Sequence, residues 1–195
     1  MRKLVAGVFL MLGLIASPVF ALEAYKLDAV HSNVGFNIKH MMVSRVVGSF
    51  DTFDGTIAFD KADLANSKIS MTIEVKSIST RNDKRDEHLR SPDFFDAAKY
   101  PTITFVSKKI SEGSIIGDLT MKGVTKEVTI PATIEGPVKT PMNTEAIGIN
   151  ATFTINRQDF GVSYNKTLDQ GGLALGNDVN IDVSIEADKV VADKK

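Results

Sequence analysis

The sequence predicts an all-β fold, an eight-stranded antiparallel barrel with one short helical segment at about residues 83–99. Three observations carry that expectation. From residue 33 onward, apolar and polar residues alternate with period two over eight separate stretches rich in β-branched side chains. Most links between them are short and turn-rich, such as "SEGS" and "KGVTK", so strands that follow one another in the chain lie side by side. A flat sheet this wide would leave long unpaired edges and one apolar face in water, and closure into a cylinder removes both faults. A two-sheet sandwich is the alternative that the same pattern permits.

The strands follow in order. "NVGFNIKH" sets Val34, Phe36 and Ile38 against Asn33, Gly35, Asn37 and Lys39. "GTIAFD" continues with Ile57 and Phe59, and "KISMTIEVKS" with Ile69, Met71, Ile73 and Val75. "TITFVSKK" then contributes Ile103 and Phe105, and "IIGDLTMKG" contributes Leu119 and Met121. "EVTIPATIEG" gives Val128, Ile130, Ala132 and Ile134, and "AIGINATFTIN" gives Ile147, Ile149, Ala151, Phe153 and Ile155. "DVNIDVSIEA" closes the series with Val179, Ile181, Val183 and Ile185. Within these inward rows, the candidate lining of a binding pocket is Val34, Phe36, Ile38, Ile57, Phe59, Met71, Ile73, Ile103, Phe105, Leu119, Ile130, Ile149, Phe153, Ile155, Ile181 and Val183.

The stretch "RDEHLRSPDFFDAAKYP" (85–101) breaks the alternation. Asn82 or Asp83 can cap a first helical turn, and Ser91-Pro92 can start a second one. Tyr100-Pro101 ends the segment, because a residue before proline is pushed out of the helical region. Asp86 and Arg90 stand at the spacing of a surface ion pair on a solvated helix face, and Phe94 and Phe95 suit a plug for one barrel end.

In an up-and-down barrel, the links after 33–40, 68–77, 115–121 and 145–156 share one end. Three of them are the unusual ones: 41–55, the helical segment and 157–177. Long loops gathered at one rim are where function concentrates. His40 continues the inward row of its strand and Arg157 that of Phe153 and Ile155, so both are candidates for the mouth of the barrel. An apolar interior topped by an imidazole and a guanidinium suits an amphiphile with an anionic head. The competing reading is that both side chains simply reach water from strand ends. Gly55, Gly117 and Ala151 among mid-sized neighbours, with no tryptophan, favour a cavity over a filled interior.

Composition limits the rest. A net charge of −1 argues against a nucleic-acid partner. With no cysteine there are no disulfides. Arg2 and Lys3, the apolar run Leu4 to Ala16 and the small residues up to Ala21 read as a secretory signal peptide over 1–21. That leaves 22–195 as a single domain outside the cytoplasm, with a frayed tail "ADKVVADKK". The three histidines lack ligand spacing, so neither a metal nor another cofactor is expected. No G-x-S-x-G elbow is present, and "DFG" at 159–161 stands without the other kinase elements, so no catalytic residue is assigned.

The pieces "LDAVHSNVGFNIKHMM", "VGSFDTFDGTIAFD", "SISTRNDKRDEHLRSPDFFDAAKYPTITF", "GDLTMKGVTKEVTIP", "NRQDFG" and "VNIDVSIEA", in this order, resemble the YceI-like family of periplasmic polyisoprenoid-binding proteins. The resemblance implies a lipocalin-like, extended eight-stranded barrel with a helical segment beside one end. It also implies a binding or carrier role for a long apolar chain, such as an isoprenoid or a fatty acid or amide, held inside. "HLRSPDFFD" (His88 to Asp96) looks like the family's shared segment, and the inward strand residues look like its pocket lining; no motif assigns the headgroup contacts. Transient membrane contact for lipid exchange and a homodimer are the partner arrangements left open. Two rivals stand beside this reading. One is a secreted interaction or stress-response protein with a filled barrel; the other is a lipid hydrolase using His88 or His40 as base.

Overall fold

The computed structural model of the chain describes residues 22–169 and 171–191; the leader read over 1–21 lies outside the described residues. Its strands are β1 (Glu23–His40), β2 (Ser44–Phe50), β3 (Phe53–Phe59), β4 (Lys68–Glu74), β5 (Ile78–Ser79), β6 (Thr102–Ser111), β7 (Ser114–Met121), β8 (Val124–Lys139), β9 (Glu145–Asn156) and β10 (Leu175–Lys189). Among the described residues one α-helix, α1 (Asp83–Arg90), lies between β5 and β6. Neighbours are antiparallel and follow chain order, and β1 pairs with β10 to close the cylinder. The meander expected from short links is therefore the observed topology.

The ten strands make eight staves. β2 and β3 form one stave broken at Asp51 and Thr52: β2 pairs with the far half of β1 from Gly35↔Ser49 to His40↔Ser44, and β3 with its start from Glu23↔Phe59 to Lys26↔Thr56. β4 and β5 form a second broken stave, split by a 3-10 turn at Val75–Ser77. The segment 41–55 is thus not a long loop. It is a tight turn at 41–43 followed by strand, in which Val46, Gly48 and Phe50 keep the alternation. Gly48 hides the pattern for a steric reason: a Cβ there would sit 2.4 Å from Phe36 Cζ, so the ring of its cross-strand neighbour needs a glycine.

Three further expectations change. β1 starts at Glu23 rather than near residue 33. The tail is strand as far as Lys189, where the ammonium meets Glu23 Oε1 at 2.6 Å and Glu145 Oε2 at 2.8 Å. The helix is shorter than 83–99. Asn82 caps it by accepting from the Arg85 N–H, but Ser91 ends it and turns its hydroxyl back to the His88 carbonyl. Residues 91–100 continue as turns, with Asp96 in the left-handed region at φ 52°. Asp86 does not pair with Arg90. It is buried at 5 % exposure and accepts the Thr80 N–H and hydroxyl, while Arg90 Nη2 donates to the Ile78 carbonyl at 2.8 Å. That exchange of partners pins α1 to the end of β5.

Links 60–67, 112–113 and 140–144 gather at one end, called the closed end below. The segments 41–43, 75–101, 122–123, 157–169 and 171–174 gather at the other, the open end.

Candidate functional site: an apolar cavity

Tyr25, Phe59, Ile110, Ile147 and Ala187 belong to the buried core that fills the closed end, with Tyr25 and Phe59 edge to face at 6.0 Å between centroids. Above them the cylinder is hollow. A cavity of about 390 Å³ runs towards the open end, within the range of small-molecule sites. Every residue assigned to the lining from sequence does line it except Phe59. Phe59 was expected in the pocket wall. It sits one step too near the closed end, where its ring packs on Tyr25 instead.

Small residues explain the hollow only in part. Gly55 and Ala151 line the cavity, as a ligand space requires. Gly117 does not: a Cβ there would meet Phe105 Cζ at 2.6 Å, so this glycine accommodates a ring of the protein itself.

The open end contributes the residues that sequence reasoning missed as lining. From β2 come Val46 and Phe50, and from α1 come Arg85, His88 and Leu89. Phe94 and Phe95 line the cavity while they plug the rim, so the plug is also wall. Phe36, Phe50 and Phe95 form a chain of rings with centroids 5.7 and 6.0 Å apart. Across the mouth, Phe94 and Tyr164 lie 4.8 Å apart, and His88 stands edge-on to both at 5.0 Å. His88 Nε2 is 2.9 Å from Asp93 Oδ2, which orients the ring. Arg85 is held by Thr80, through Nε to the hydroxyl and Nη2 to the carbonyl. Alternation could have revealed Val46 and Phe50; no periodic signal marks the residues from α1 or from 157–174.

His40 and Arg157 both line the cavity. His40 is half-buried at the end of β1, whereas Arg157 is only 4 % exposed. Its Nε donates to the Gly176 carbonyl at 2.9 Å and Nη1 to the Val162 carbonyl at 2.6 Å, so it braces the segment leading into β10. Nη2 is buried and has no partner among the described residues. Burial pushes the guanidinium pKa down from its ordinary value, a measure of how poorly solvated the charge is. A buried cationic donor left without an acceptor is costly, and an acceptor brought by a ligand would relieve it.

The histidines do not gather. His40 and His88 line the mouth, while His31 contacts Asp28 at 2.8 Å. Asp28, His31 and Glu186 offer ligand atoms within 4.8 Å of one another, but none of the three lines the cavity. The neighbours found for His88, an aspartate and two aromatic rings, are those of a structural imidazole.

Known proteins share both sequence and shape with this chain. A UPF0312 protein of Staphylococcus aureus (strain MSSA476) is 44 % identical over 163 residues, which span 83 % of this chain and 95 % of that protein. The crystal structure of Burkholderia cenocepacia BcnA superposes with a TM-score of 0.72 at 27 % identity, covering 82 % of this chain and 98 % of that one. A polyisoprenoid binding domain from Saccharophagus degradans, implicated in plant cell wall breakdown, shares the fold at a TM-score of 0.64 and 16 % identity over 86 % of this chain and 99 % of that one. The YceI-like domain profile matches residues 25–187. A hollow eight-stave barrel, a rim helix and a match over nearly all the described residues leave one assignment: the chain belongs to the YceI-like domain family.

Proposed function

We propose that the protein is a periplasmic binding or carrier protein that holds a long-chain isoprenoid or a fatty-acid-derived amphiphile inside the barrel. The observation that carries this reading is the cavity of about 390 Å³, walled almost wholly by aliphatic and phenylalanine side chains. Each methylene taken from water contributes about 0.8 kcal/mol, so about ten buried carbons give roughly 8 kcal/mol before the cost of association. The leader expected over 1–21 supports export, and the polyisoprenoid binding domain of like fold supports the ligand class. The tail occupies the barrel and the head lies towards the open end, where Arg157 Nη2 lacks an acceptor and His40 is half-buried. The ligand crosses between membrane and cavity through this end. A filled-barrel interaction protein is disfavoured by the hollow itself.

Solvent extraction of the purified protein followed by mass spectrometry tests the reading. Recovery of a lipid near one equivalent supports it, and repeated absence after lipid-rich expression overturns it. Arg157→Gln then tests the head: affinity for an anionic amphiphile should fall about tenfold or more, while an uncharged hydrocarbon probe binds unchanged. Equal losses for both probes would remove Arg157 from that role and leave it a brace.

A further inference from the structure

The β1–β2 turn breaks a local rule. Val43 N–H bonds to the His40 carbonyl at 3.2 Å, and both central residues are left-handed, Met41 at φ 51° and Met42 at φ 63°. A hairpin turn with two positive φ angles ordinarily carries Asn-Gly, because a Cβ is disfavoured there. Two methionines gain nothing for the fold at such a place, and both are exposed, at 44 % and 53 %, next to Val43 at 87 %. Leu173 joins them from the neighbouring segment: the Met41 N–H bonds to the Ala174 carbonyl at 2.8 Å, and the Cβ position of Gly172 is 3.8 Å from Met42 Cγ. Four apolar side chains therefore project from the rim of the cavity.

Cations surround this tip. Lys39 and Arg45 stand directly opposite each other across the β1–β2 register, a pairing that like charges disfavour. Arg45 reaches the Asn37 side chain at 2.7 Å, and neither cation forms an ion pair among the described residues. Lys166 is exposed and lines the mouth. Against these three cations, the segments 39–45 and 166–174 carry one acid, Asp169. With a net charge of −1 on the whole chain, this concentration is local.

We infer that the rim made by the β1–β2 turn and the segments 166–169 and 171–174 is a membrane-docking surface, which seats the mouth of the cavity on an anionic bilayer. The inference rests on the reading of the cavity as a lipid site. An anionic bilayer meets both oddities at once: its acyl boundary takes Met41, Met42, Val43 and Leu173, and its head groups take Lys39, Arg45 and Lys166. Unbranched methionines adapt to such a fluid surface better than to a fixed protein groove. The tip is continuous with the cavity, since His40, Lys166 and Ala174 belong to both. A lipid tail crosses from bilayer to barrel there without passing through water.

Co-sedimentation with vesicles of phosphatidylcholine and phosphatidylglycerol reads the docking. The protein should bind these vesicles, less so as salt rises, and bind weakly to phosphatidylcholine alone. The double variant Met41→Asn, Met42→Gly should lose about tenfold or more in vesicle binding while its thermal midpoint rises, because the new turn suits its backbone. Lys39→Glu with Arg45→Glu should abolish the preference for phosphatidylglycerol. Binding of a fluorescent fatty acid in vesicle-free buffer reads the cavity alone. Vesicle binding that is absent, or unmoved by the methionine substitutions, overturns the docking surface; failure to take up the fatty acid overturns the lipid reading beneath it.

Discussion

At the closed end, every buried polar group described above the turns has a partner. Asp60 accepts from Ala62 N–H, Asp63 N–H and Asn66 Nδ2, and the Ser67 hydroxyl accepts from Asp60 N–H. Its one non-glycine residue at positive φ is Asn143, a residue type that tolerates that region. At the open end, Met41, Met42, Arg81, Asp96 and Lys122 all have positive φ. Among the described residues, the two buried side-chain nitrogens without partners, Arg90 Nε and Arg157 Nη2, are there as well. One cylinder thus carries a locally consistent floor and a strained, under-satisfied rim. Sequences agree with their fold at every level except where function asks otherwise, so the rim is where a ligand should pass.

The largest expected effect lies between the two ends, in the hollow. Ala151 lines the cavity from β9. Ala151→Phe should fill enough of that space to weaken amphiphile binding about a hundredfold, because a ring displaces several methylenes of tail at about 0.8 kcal/mol each. Stability should change little if the ring enters the cavity. Titration with a fluorescent fatty acid and a thermal melt read the two quantities separately; undiminished binding would place the ligand elsewhere.

Next comes the anchoring of the rim. Asp86→Ala leaves the Thr80 N–H and hydroxyl without their carboxylate acceptor, so α1 keeps only the Arg85 and Arg90 contacts to the end of β5. A loss of about 2 kcal/mol follows from stranding buried donors. Hydrogen exchange should show the loss concentrated in 78–100, with the closed end protected as before. Uniform loss across the barrel would mean that the two ends unfold as one unit.

The same contrast explains what the sequence reveals. Staves with regular alternation, such as "TITFVSKK" and "DVNIDVSIEA", are legible because one face is buried and period two follows from the pleat. β2 was concealed by Gly48, whose absent side chain serves Phe36 rather than the pattern. β5 is two residues long and is recognised only by its partners Ser49 and Phe50. The side chains that wall the cavity follow this alternation, and Phe59, two residues beyond Ile57 on the same row, falls into the closed-end core instead. The rim does not, because Arg85 and His88 come from a short helix and Tyr164 and Lys166 from a non-strand segment, each placed by tertiary contacts such as Thr80 with Arg85. Arg157 lines the cavity at 4 % exposure, a depth that alternation does not reveal because it tells direction only.

The smallest effect concerns pH, and it should act through the closed end. The Asn66 side chain, followed by backbone N–H groups, holds the Asp60 carboxyl below its ordinary value of 3.8. Lys189 holds Glu145 below its ordinary 4.5. Lowered carboxyl pKa values stabilise the fold above the unfolded values, and that contribution fades as pH falls below about 4.5 through the folded ones. On the alkaline side, burial first and the Glu23 charge second raise the Tyr25 phenol from 10.0 to about 12. The folded state then keeps a proton that the unfolded state releases, so stability declines between pH 10.0 and about 12. Lys189, whose pKa is raised by Glu145 and then Glu23, adds a loss in the same direction above 10.5. Urea midpoints measured across pH should thus form a plateau with two shoulders. Glu145→Gln should flatten the acid shoulder and Tyr25→Phe the alkaline one. A Glu145→Gln protein with the wild-type acid slope would shift the titrating groups away from the floor of the barrel, and the contrast between its ends would no longer extend to charge.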